Sequence, residues 1–524
     1  MLDTAAARHP NDICVDFLGQ QITYAEVARR VKLVSNGLRR IGVGVGTRVA
    51  LLLPNSPQFV ITFFAVLKAG GTIVNCNPMI GTGQFIRQMV DSRAEIVVTL
   101  DLAPLYEKAA RALHEASVKR LVVVSLDYEL PALKRAQFRL WNWRNLVSTP
   151  IDNSHIRFQD LLDADEPEET TPVDSQSVAV LQYTGGTTGT PKAVMLSHRN
   201  LLVNCEQIKL WLTRSILGPQ RIIAVLPFAH CFGMTAIMNL AISIGGEMVL
   251  LPRFKIREFL SALERRRVTM IVGVPALFRA MNEYSKLSRY DLSSLKLGVS
   301  GGDALPIAVQ RKFEKSIGCP LAEGYGLSEC SPVVTCGNPL EGAAKPGSCG
   351  LPLPGTLVEI ISTKDGVTAL PPNTLGEICV TGPQVMLGYW NQPDATTATL
   401  LGDRLHTGDV GRMDEDGYLY FSDRLKDVIV VSGYKVYPRA VEEILLTHSA
   451  VSEAAVIGVA DEARGHVAKA FVVLRRGADV TAEALRRHLA GQLPPMSVPR
   501  EIIFREDLPK SPMGKILKAE LESR

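Results

Sequence analysis

Residues 177–197 read SVAVLQYTGGTTGTPKAVMLS, and this stretch decides how the rest of the chain is interpreted. Two apolar runs flank a loop that contains three glycines, four threonines and Lys192. Glycines leave backbone N–H groups open to an anion, while threonine hydroxyls and a lysine add donors and positive charge. The sequence therefore predicts two strands joined by a phosphate-binding loop. The loop is not a Walker A motif, because Pro191 separates Thr190 from Lys192 and AVMLS predicts a strand where that motif requires a helix.

Short β-branched runs alternate with helical patterns on both sides of this loop. Residues 58–69 have a helical pattern, and Ile256, Phe259 and Leu263 share one face of another helix. Alternation of this kind favours a layered α/β fold with mostly parallel strands. The runs that we predict as buried strands are 48–53, 72–76, 95–100, 177–184, 221–226, 247–251, 269–274 and 295–300.

The composition changes along the second half of the chain. From about Ser331, glycine and proline become dense and short strands replace helices, which predicts a small β subdomain. The last part of the chain combines strands with helices at 438–447 and 481–490. We therefore expect a large N-terminal domain, residues 1–424, made of layered α/β subdomains and the small β subdomain. A small mobile α+β domain, residues 425–524, is expected to follow it.

Composition and charge exclude several classes of protein. The chain has 524 residues, of which 46% are apolar and 21% charged, as is typical of a folded enzyme and not of a disordered chain. The net charge of +4 is too small and too evenly spread for a nucleic-acid binder. The nine cysteines include no C-x-x-C pair, which argues against a zinc site or a dithiol redox centre.

The sequence also favours one compartment. Residues 1–12 lack the apolar core of a signal peptide. The apolar runs 59–74 and 234–251 fall short of the roughly 20 residues that a membrane span requires. We therefore expect a cytoplasmic protein with reduced thiols. Neither a membrane anchor nor a basic amphipathic helix stands out, so peripheral contact with a membrane is left open.

Seven motifs in a fixed order give the chain a resemblance to a known family. They are YTGGTTGTPKAVMLSH (183–198), LPFAHCFG (226–233), SGGDALP (300–306), EGYGLSEC (323–330), HTGD (406–409), DRLKDVIVVSGYKVYP (423–438) and PKSPMGK (509–515). This set resembles the adenylate-forming superfamily of acyl-CoA synthetases, peptide-synthetase adenylation domains and luciferases, and it spans nearly the whole chain. Residues 406–438 most resemble long- and medium-chain fatty-acyl-CoA synthetases.

The resemblance implies a reaction in two steps. A carboxylate attacks the α-phosphate of ATP to give an acyl-adenylate and pyrophosphate, and the thiol of CoA then displaces AMP. Both steps pass through crowded negative charge, so positioned cations and hydrogen-bond donors should dominate catalysis. The implied cofactors are ATP and Mg²⁺, with CoA as co-substrate.

The resemblance also implies roles for residues of an ATP site. Thr184 and Glu329 would bind Mg²⁺, which prefers hard oxygen ligands. Tyr325 would stack on adenine, Ser328 would hydrogen-bond the α-phosphate, and Asp409 would accept both ribose hydroxyls. The complete expected ATP- and AMP-binding set is Thr184, Gly185, Gly186, Thr187, Thr188, Gly189, Lys192, Gly302, Glu323, Gly324, Tyr325, Gly326, Ser328, Asp409 and Arg424.

The C-terminal motifs would supply the remaining catalytic parts. By resemblance, Lys515 would place an ammonium between the carboxylate and the α-phosphate. Lys426 would be the hinge of the mobile domain. The CoA-binding residues would be Ser432, Gly433 and Tyr434.

The acyl site is expected beside the motif at 226–233. His230 would border the site, act as a second catalytic residue and gate access to it. Gly233 and Gly301 would flank the acyl carboxylate. An apolar helix predicted at 232–244 would form the wall of a slot for the acyl tail.

The sequence leaves several alternatives open. Fatty, dicarboxylic, aromatic and steroid acids all fit the motifs, and the resemblance favours medium-to-long fatty acids. The acyl group could be transferred to a carrier protein instead of CoA, or the chain could bind nucleotide or acyl ligands without turnover. A homodimer is left open as well.

Overall fold

The computed structural model describes residues 1–150, 152–163, 173–184, 192–212, 220–461, 464–510 and 516–522. The chain is a mixed α/β structure that divides into two compact units. Unit 1 consists of Met1–Ala344, Leu353–Thr356 and Thr381–Asp403. Unit 2 consists of Lys345–Pro352, Leu357–Val380 and Arg404–Arg524.

The first sheet of unit 1 contains the strand that leads into the predicted phosphate-binding loop. Val178–Tyr183 pairs in parallel with Thr72–Asn75 and antiparallel with Ala193–Ser197, so the loop joins two adjacent strands. Continuous burial along these strands is typical of a sheet that is covered on both faces. The strand order is Gly388–Tyr389, Ala193–Ser197, Val178–Tyr183, Thr72–Asn75, Arg48–Leu52, Ile96–Leu100, Arg120–Val124 and His155–Arg157.

The second sheet of unit 1 places three of the motifs at one edge. Three strands of this sheet run in the same direction: Arg221–Ala224, Leu297–Ser300 and Leu321–Gly326. The first two both pair in parallel with Met270–Gly273, which lies between them, and Leu297–Ser300 pairs in parallel with Leu321–Gly326. Their carboxyl ends lead into or carry the motifs at 226–233, 300–306 and 323–330, and ligands bind at such ends in α/β sheets. The strand order within unit 1 is Val333–Cys336, Leu321–Gly326, Leu297–Ser300, Met270–Gly273, Arg221–Ala224, Glu247–Leu250, Ile13–Phe17 and Gln20–Thr23.

The helices of unit 1 start where the sequence offers caps. The Ser56 side chain accepts a hydrogen bond from the N–H of Phe59 at 3.2 Å, and Pro57 occupies the first helical position. The α-helices are Leu2–Arg8, Tyr24–Arg40, Pro57–Lys68, Thr82–Ser92, Ala103–Glu115, Ala132–Asn142, Phe158–Leu162, His198–Leu212, Cys231–Gly233, Leu240–Ser243, Ile256–Arg265, Pro275–Glu283, Ile307–Ile317 and Pro393–Thr399. A π-helix spans Met234–Asn239, and the short 3-10 helices are Leu126–Glu129, Leu287–Arg289, Ser328–Cys330 and Pro339–Glu341.

Unit 2 begins with a small β-sheet. Its strand order is Leu357–Ile361, Gly376–Thr381 and Arg404–Met413, and Leu419–Arg424 pairs antiparallel with Arg404–Met413. The register places Asp409 directly opposite Arg424. The predicted small β subdomain is therefore present as a sheet of strands between residues 357 and 424.

The rest of unit 2 has a second sheet with helices packed on it. Its strands, in order, are Tyr434–Val436, Ile429–Val431, Gly465–Leu474 and Val451–Asp461, with Glu501–Arg505 parallel to Gly465–Leu474. The helices are Pro438–Thr447, Ala482–Ala490 and Ala519–Glu522. The helix predicted at 481–490 starts one residue later, because Thr481 is its N-cap and accepts from Ala484 N at 3.2 Å.

The expected fold class is confirmed, since a large N-terminal α/β part is followed by a smaller C-terminal α+β part. The boundary between residues 424 and 425 stays a prediction. All nine cysteines are buried and carry free thiols. Among the described residues, no helix combines the length and apolarity needed to cross a membrane. The sequence showed no evident basic amphipathic helix, and this interpretation was wrong. The helix Ala132–Asn142 carries both basic and apolar side chains and has no buried residue.

Candidate active site

The predicted phosphate-binding loop starts and ends in a fixed hairpin. The N–H of Thr184 donates to the carbonyl of Lys192 at 3.0 Å, and the Thr184 hydroxyl donates to the same oxygen at 3.4 Å. These two predicted ligands therefore lie side by side at the end of two paired strands. The other predicted loop residues, Gly185, Gly186, Thr187, Thr188 and Gly189, lie outside the described residues.

Tyr389 connects this hairpin to Glu329. The Lys192 Nζ atom lies 4.8 Å from the centre of the Tyr389 ring, which is a cation–π contact. The Tyr389 hydroxyl donates to Glu329 Oε1 at 2.8 Å. Burial and the nearby Glu329 carboxylate raise the pKa of Tyr389, so its hydroxyl stays protonated and remains a donor. Sequence reasoning missed Tyr389, because no local pattern links it to a residue 60 positions away.

The EGYG strand is held by close backbone packing. A Cβ atom at Gly326 would overlap the carbonyl oxygen of Pro332, and one at Gly324 would lie 3.2 Å from the carbonyl of Thr335. At Gly326 only glycine allows this approach, whereas at Gly324 a side chain would require a small shift of the neighbouring strand. Tyr325 between them is buried, with 8% of its surface exposed.

Glu323 supports the neighbouring motif instead of pointing into open solvent. Its Oε1 atom accepts a hydrogen bond from the N–H of Leu305 at 3.0 Å. Leu305 belongs to the motif at 300–306, where Gly302 has a φ of +80° that L side chains rarely adopt. The contact therefore fixes two of the motif loops against each other.

His230 begins the helix that was predicted to line the acyl site. Its Nδ1 atom accepts from the N–H of Phe232 at 3.3 Å. Burial lowers the pKa of His230 to about 4, so the imidazole is neutral at neutral pH. The Phe232 ring packs against Gly301, where a Cβ atom would lie 3.0 Å from the ring. His230 and Gly301 therefore belong to adjacent loops.

Cys231 links the same loop to the EGYG motif. Its Sγ atom lies 3.2 Å from the Ser328 hydroxyl. Burial raises the pKa of the Cys231 thiol to about 12, so the thiol is neutral. Gly233 packs directly on the carbonyl of Pro227, where a Cβ atom would overlap the oxygen. The predicted residues Ser328, His230 and Gly233 are thus brought together.

Two buried amide side chains hold the loop before His230, and sequence reasoning did not identify them. Asn55 Nδ2 donates to the carbonyl of Leu226 at 2.8 Å, and its Oδ1 accepts from the N–H of Phe228 at 2.8 Å. Gln182 Nε2 donates to the carbonyl of Ala229 at 3.0 Å. Because Gln182 precedes the phosphate-binding loop by two residues, it fixes the distance between that loop and the loop of His230.

The predicted apolar helix is present but has an irregular centre. α-Helical turns at Cys231–Gly233 and Leu240–Ser243 enclose the π-helix Met234–Asn239, whose six residues are all buried. π-Helical turns are often found at functional sites. A cavity of about 580 Å³ lies at the far end of this helix and is lined in part by Leu202, Leu240 and Ile244.

In unit 2, Asp409 is held in place from several sides. The Arg424 Nε atom lies 3.4 Å from Asp409 Oδ1, and 3% of Asp409 is exposed. The preceding residue, Gly408, has a φ of +69°, and its N–H donates to Glu377 Oε1 at 2.9 Å. The other Glu377 oxygen is 2.9 Å from His406 Nδ1. Glu377 was not identified from the sequence, although it fixes the turn that carries Asp409.

The predicted CoA-binding residues form a hairpin turn at the surface. Ser432 and Gly433 connect Ile429–Val431 to Tyr434–Val436 and have φ values of +48° and +85°. Two successive positive φ values are typical of a type I′ turn. Tyr434 is 65% exposed, and Lys426 is exposed on a short 3-10 helix.

Lys515 lies outside the described residues. The residues beside its segment are fixed, because Lys510 and Ile516 form an antiparallel bridge. Further along the chain, Lys518 Nζ lies 2.8 Å from Glu442 Oε1. The Lys518 side chain is 23% exposed, so this ion pair is largely shielded from solvent. The segment that carries Lys515 therefore starts and ends at anchored positions.

Comparison with known proteins agrees with this geometry. Residues 2–390 match the model of the AMP-binding enzyme family, and residues 440–515 match that of the AMP-binding enzyme C-terminal domain. A long-chain-fatty-acid–CoA ligase of Bacillus subtilis is 41% identical over 99% of this chain and 93% of its own length. A feruloyl-CoA synthase of an Amycolatopsis species is 33% identical over 99% and 97%. The structure of ATP-bound MatB from Rhodopseudomonas palustris matches with a TM-score of 0.87 and 27% identity, covering 100% of this chain and 98% of that one.

Fold and motif geometry together define an enzyme of the adenylate-forming class, in which three of the motif loops follow the carboxyl ends of parallel strands in one mixed sheet. The resemblance expected from the motifs is confirmed. The chain belongs to the AMP-binding enzyme family.

Proposed function

We propose that the chain is an AMP-forming fatty-acyl-CoA ligase that uses ATP, Mg²⁺ and CoA. The carrying observation is the continuous set of contacts from Thr184 through Lys192 and Tyr389 to Glu329. It gathers a hydroxyl, an ammonium and a carboxylate where the family binds the phosphates of ATP. Full-length relatives named long-chain-fatty-acid–CoA ligase, at 36% and 41% identity, support a fatty acid as the acyl substrate.

Mg²⁺ fits the side chains that are present. Glu329 offers a carboxylate and Thr184 a hydroxyl, which are the hard oxygen donors that this ion takes together with phosphate oxygens. Tyr389 orients the Glu329 carboxylate through its 2.8 Å hydrogen bond. When bound there, Mg²⁺ would neutralise charge on the phosphates.

Each predicted residue has a distinct task in the proposed first step. A carboxylate oxygen of the acid attacks the α-phosphorus, and the bond from that phosphorus to the bridging oxygen of pyrophosphate breaks. Lys192 and Lys515 supply positive charge, Ser328 donates to the α-phosphate, and Tyr325 stacks on adenine. Asp409 is held by Arg424 and by the turn at Gly408, and it accepts from the ribose hydroxyls.

In the second step the CoA sulfur attacks the acyl carbonyl carbon. The bond from that carbon to the AMP oxygen breaks, and AMP leaves while the thiol proton goes to solvent. Lys426 is the proposed hinge at the 424/425 boundary, and Ser432, Gly433 and Tyr434 are the proposed contacts of the pantetheine arm. His230, Gly233 and Gly301 are proposed to border the acyl carboxylate. Gly302, Glu323, Gly324 and Gly326 are proposed to shape the adenosine site.

The test is release of AMP with ATP, Mg²⁺ and CoA across a series of saturated fatty acids, an α,ω-diacid, ferulate and a bile acid. We expect a maximum within the fatty-acid series. A maximum at ferulate would favour the second candidate, an aromatic acid–CoA ligase, for which the 33% identical feruloyl-CoA synthase is the supporting relative. AMP release only with a holo carrier protein in place of CoA would contradict the proposal, as would ATP binding without turnover.

Lys515→Ala separates the two steps. We expect it to reduce adenylate formation strongly while the thioester step, started from synthetic acyl-AMP, is much less affected. Lys510→Ala is the matched control, because Lys510 lies in the same segment and pairs with Glu453 at 2.8 Å. Equal loss of both steps in Lys515→Ala would contradict the assignment.

The proposed location is the cytoplasm, with peripheral contact to a membrane. A homodimer is a further alternative. Light scattering of the purified protein would distinguish a monomer from a dimer by its molar mass.

A further inference from the structure

The helix Ala132–Asn142 is unusual because none of its 11 residues is buried. Leu133, Leu140 and Trp141 are 70–76% exposed, and at positions i, i+7 and i+8 they share one face. Large apolar side chains on a surface helix normally face the core. This helix turns them toward solvent, so it carries an apolar face that none of the described residues covers.

Polar contacts attach the helix to neighbouring parts of the chain. The Arg135 Nε atom donates to the carbonyl of Asp127 at 2.9 Å, and the Arg139 guanidinium pairs with the Asp127 carboxylate. Lys134 Nζ donates to the carbonyl of Leu18 at 2.5 Å. These bonds fix the orientation of the helix, so the outward direction of Leu140 and Trp141 is built into the fold.

The residues on either side of the helix continue its character. Tyr128 is 56% exposed and Trp143 is 64% exposed, and Arg144 stacks on the Trp143 ring at 5.0 Å. Two of the four tryptophans of the chain therefore lie within this short segment. Residues 130–151 contain Lys134, Arg135, Arg139 and Arg144 and no aspartate or glutamate.

We propose that this aromatic-basic surface, formed by Tyr128, Leu133, Leu140, Trp141 and Trp143 with the adjacent lysine and arginines, binds the interface of an anionic lipid bilayer. Tryptophan and tyrosine prefer the level of the lipid headgroups, where the ring is in apolar surroundings and the N–H or O–H group is solvated. An amphipathic helix with a basic border lies in that plane and is attracted by anionic lipids.

Charge favours a bilayer over a second copy of the chain as the occupant. Arg139 is already paired with the Asp127 carboxylate, but two copies meeting through this surface would still bring Lys134, Arg135 and Arg144 of each copy together, and residues 130–151 contain no carboxylate to offset them. Anionic phosphates of lipid headgroups offer the opposite charge across the whole surface. The inference rests on the proposed peripheral membrane contact and names the surface that makes it, whereas the vesicle assay requires no turnover and so fails or succeeds separately from the proposed ligase activity.

The test is co-sedimentation of the purified full-length chain with vesicles of phosphatidylcholine alone or mixed with phosphatidylglycerol. We expect binding to the mixed vesicles, weakened by added salt, and a blue shift of tryptophan emission on binding. The double variant Leu140→Asn/Trp141→Asn should lower the partition coefficient by about tenfold or more. Arg144→Gln should lower it only for the anionic vesicles.

The matched control replaces two apolar residues that are equally exposed elsewhere. Val45 and Val367 are 78% and 69% exposed, so Val45→Asn/Val367→Asn should bind vesicles as the unchanged chain does. Equal binding of both double variants would overturn the proposal, as would absence of binding to either vesicle. Loss of a dimer in light scattering without vesicles, in Leu140→Asn/Trp141→Asn alone, would assign the surface to a second copy instead. AMP release with a water-soluble acid and no vesicles reports folding of each variant and tests the proposed function separately.

Discussion

Removing the hydroxyl of Tyr389 tests the contact that joins the phosphate-binding hairpin to Glu329. Tyr389 has two contacts there, a 2.8 Å hydrogen bond to Glu329 Oε1 and a cation–π contact with Lys192 at 4.8 Å. Tyr389→Phe removes the first and keeps the ring for the second. The residue is 7% exposed, so water does not readily replace the lost donor.

The magnitude follows from the charge on the acceptor. A buried hydrogen bond to a charged group contributes about 1.5–3 kcal/mol. Residues that orient a metal ligand typically change metal affinity by about 10- to 100-fold, which is the same range. We therefore expect the Mg²⁺ concentration for half-maximal ATP–pyrophosphate exchange to rise by about 10- to 100-fold in Tyr389→Phe.

Tyr420→Phe is the matched control for this assay. Tyr420 also stacks on a cation, Arg412 at 4.1 Å, and its hydroxyl donates to a carboxylate, Asp414 Oδ2 at 3.3 Å, away from the proposed magnesium ligands. Its Mg²⁺ dependence should match that of the unchanged chain. An unchanged Mg²⁺ dependence in Tyr389→Phe would refute the positioning role, and the same outcome in Glu329→Gln would refute Glu329 as a ligand.

Three further changes test other parts of the structure. Glu377→Gln should raise KM for ATP by about tenfold with a smaller change in kcat, since Glu377 fixes the turn at Gly408; a loss confined to kcat would contradict this. Because His230 has a pKa of about 4 against an unfolded value near 6.5, the unfolded chain binds an extra proton between these values. Its contribution to the free energy of unfolding is therefore complete above pH 6.5 and decreases toward pH 4, by up to about 1.4 kcal/mol per pH unit. Urea denaturation should show a smaller loss of stability between pH 6.5 and pH 4 in His230→Asn than in the unchanged chain, and equal pH dependence of the two would contradict this. Gly326→Ala should lower the free energy of unfolding by about 1–3 kcal/mol, whereas Gly83→Ala, at an exposed position of the helix Thr82–Ser92, should raise it by about 0.5–1 kcal/mol; equal stability of the two would contradict the close packing at Gly326.

The α/β fold could be predicted because its information is local. The strands Ile96–Leu100 and Val178–Tyr183 consist largely of consecutive apolar residues. Such runs predict strands that are buried on both faces, and therefore a sheet covered by helices on both sides. The glycines of the motifs likewise indicated positions where another part of the backbone comes close. Gly326, which packs against the carbonyl of Pro332, is an example. The motif order then placed the expected ligands at strand ends.

The residues that orient those ligands could not be predicted, because their contacts are distant along the chain. Tyr389 reaches Glu329 across 60 positions, and Asn55 reaches Phe228 across 173. The π-helix Met234–Asn239 was also missed, since its apolar pattern is the same as that of a buried α-helix. The surface helix Ala132–Asn142 was missed as well, and the contacts of Asp127 hold it with its apolar face outward.

The neutral thiol of Cys231 has a consequence for the durability of the enzyme. The proposed acyl-adenylate is an acylating agent, and a thiolate 3.2 Å from Ser328 would be a competing nucleophile inside the protein. With its pKa raised to about 12 by burial, the sulfur stays protonated and is a poor nucleophile at neutral pH. With Ser328 at the proposed α-phosphate site, the neutral Cys231 thiol would protect the protein from being acylated by the proposed intermediate.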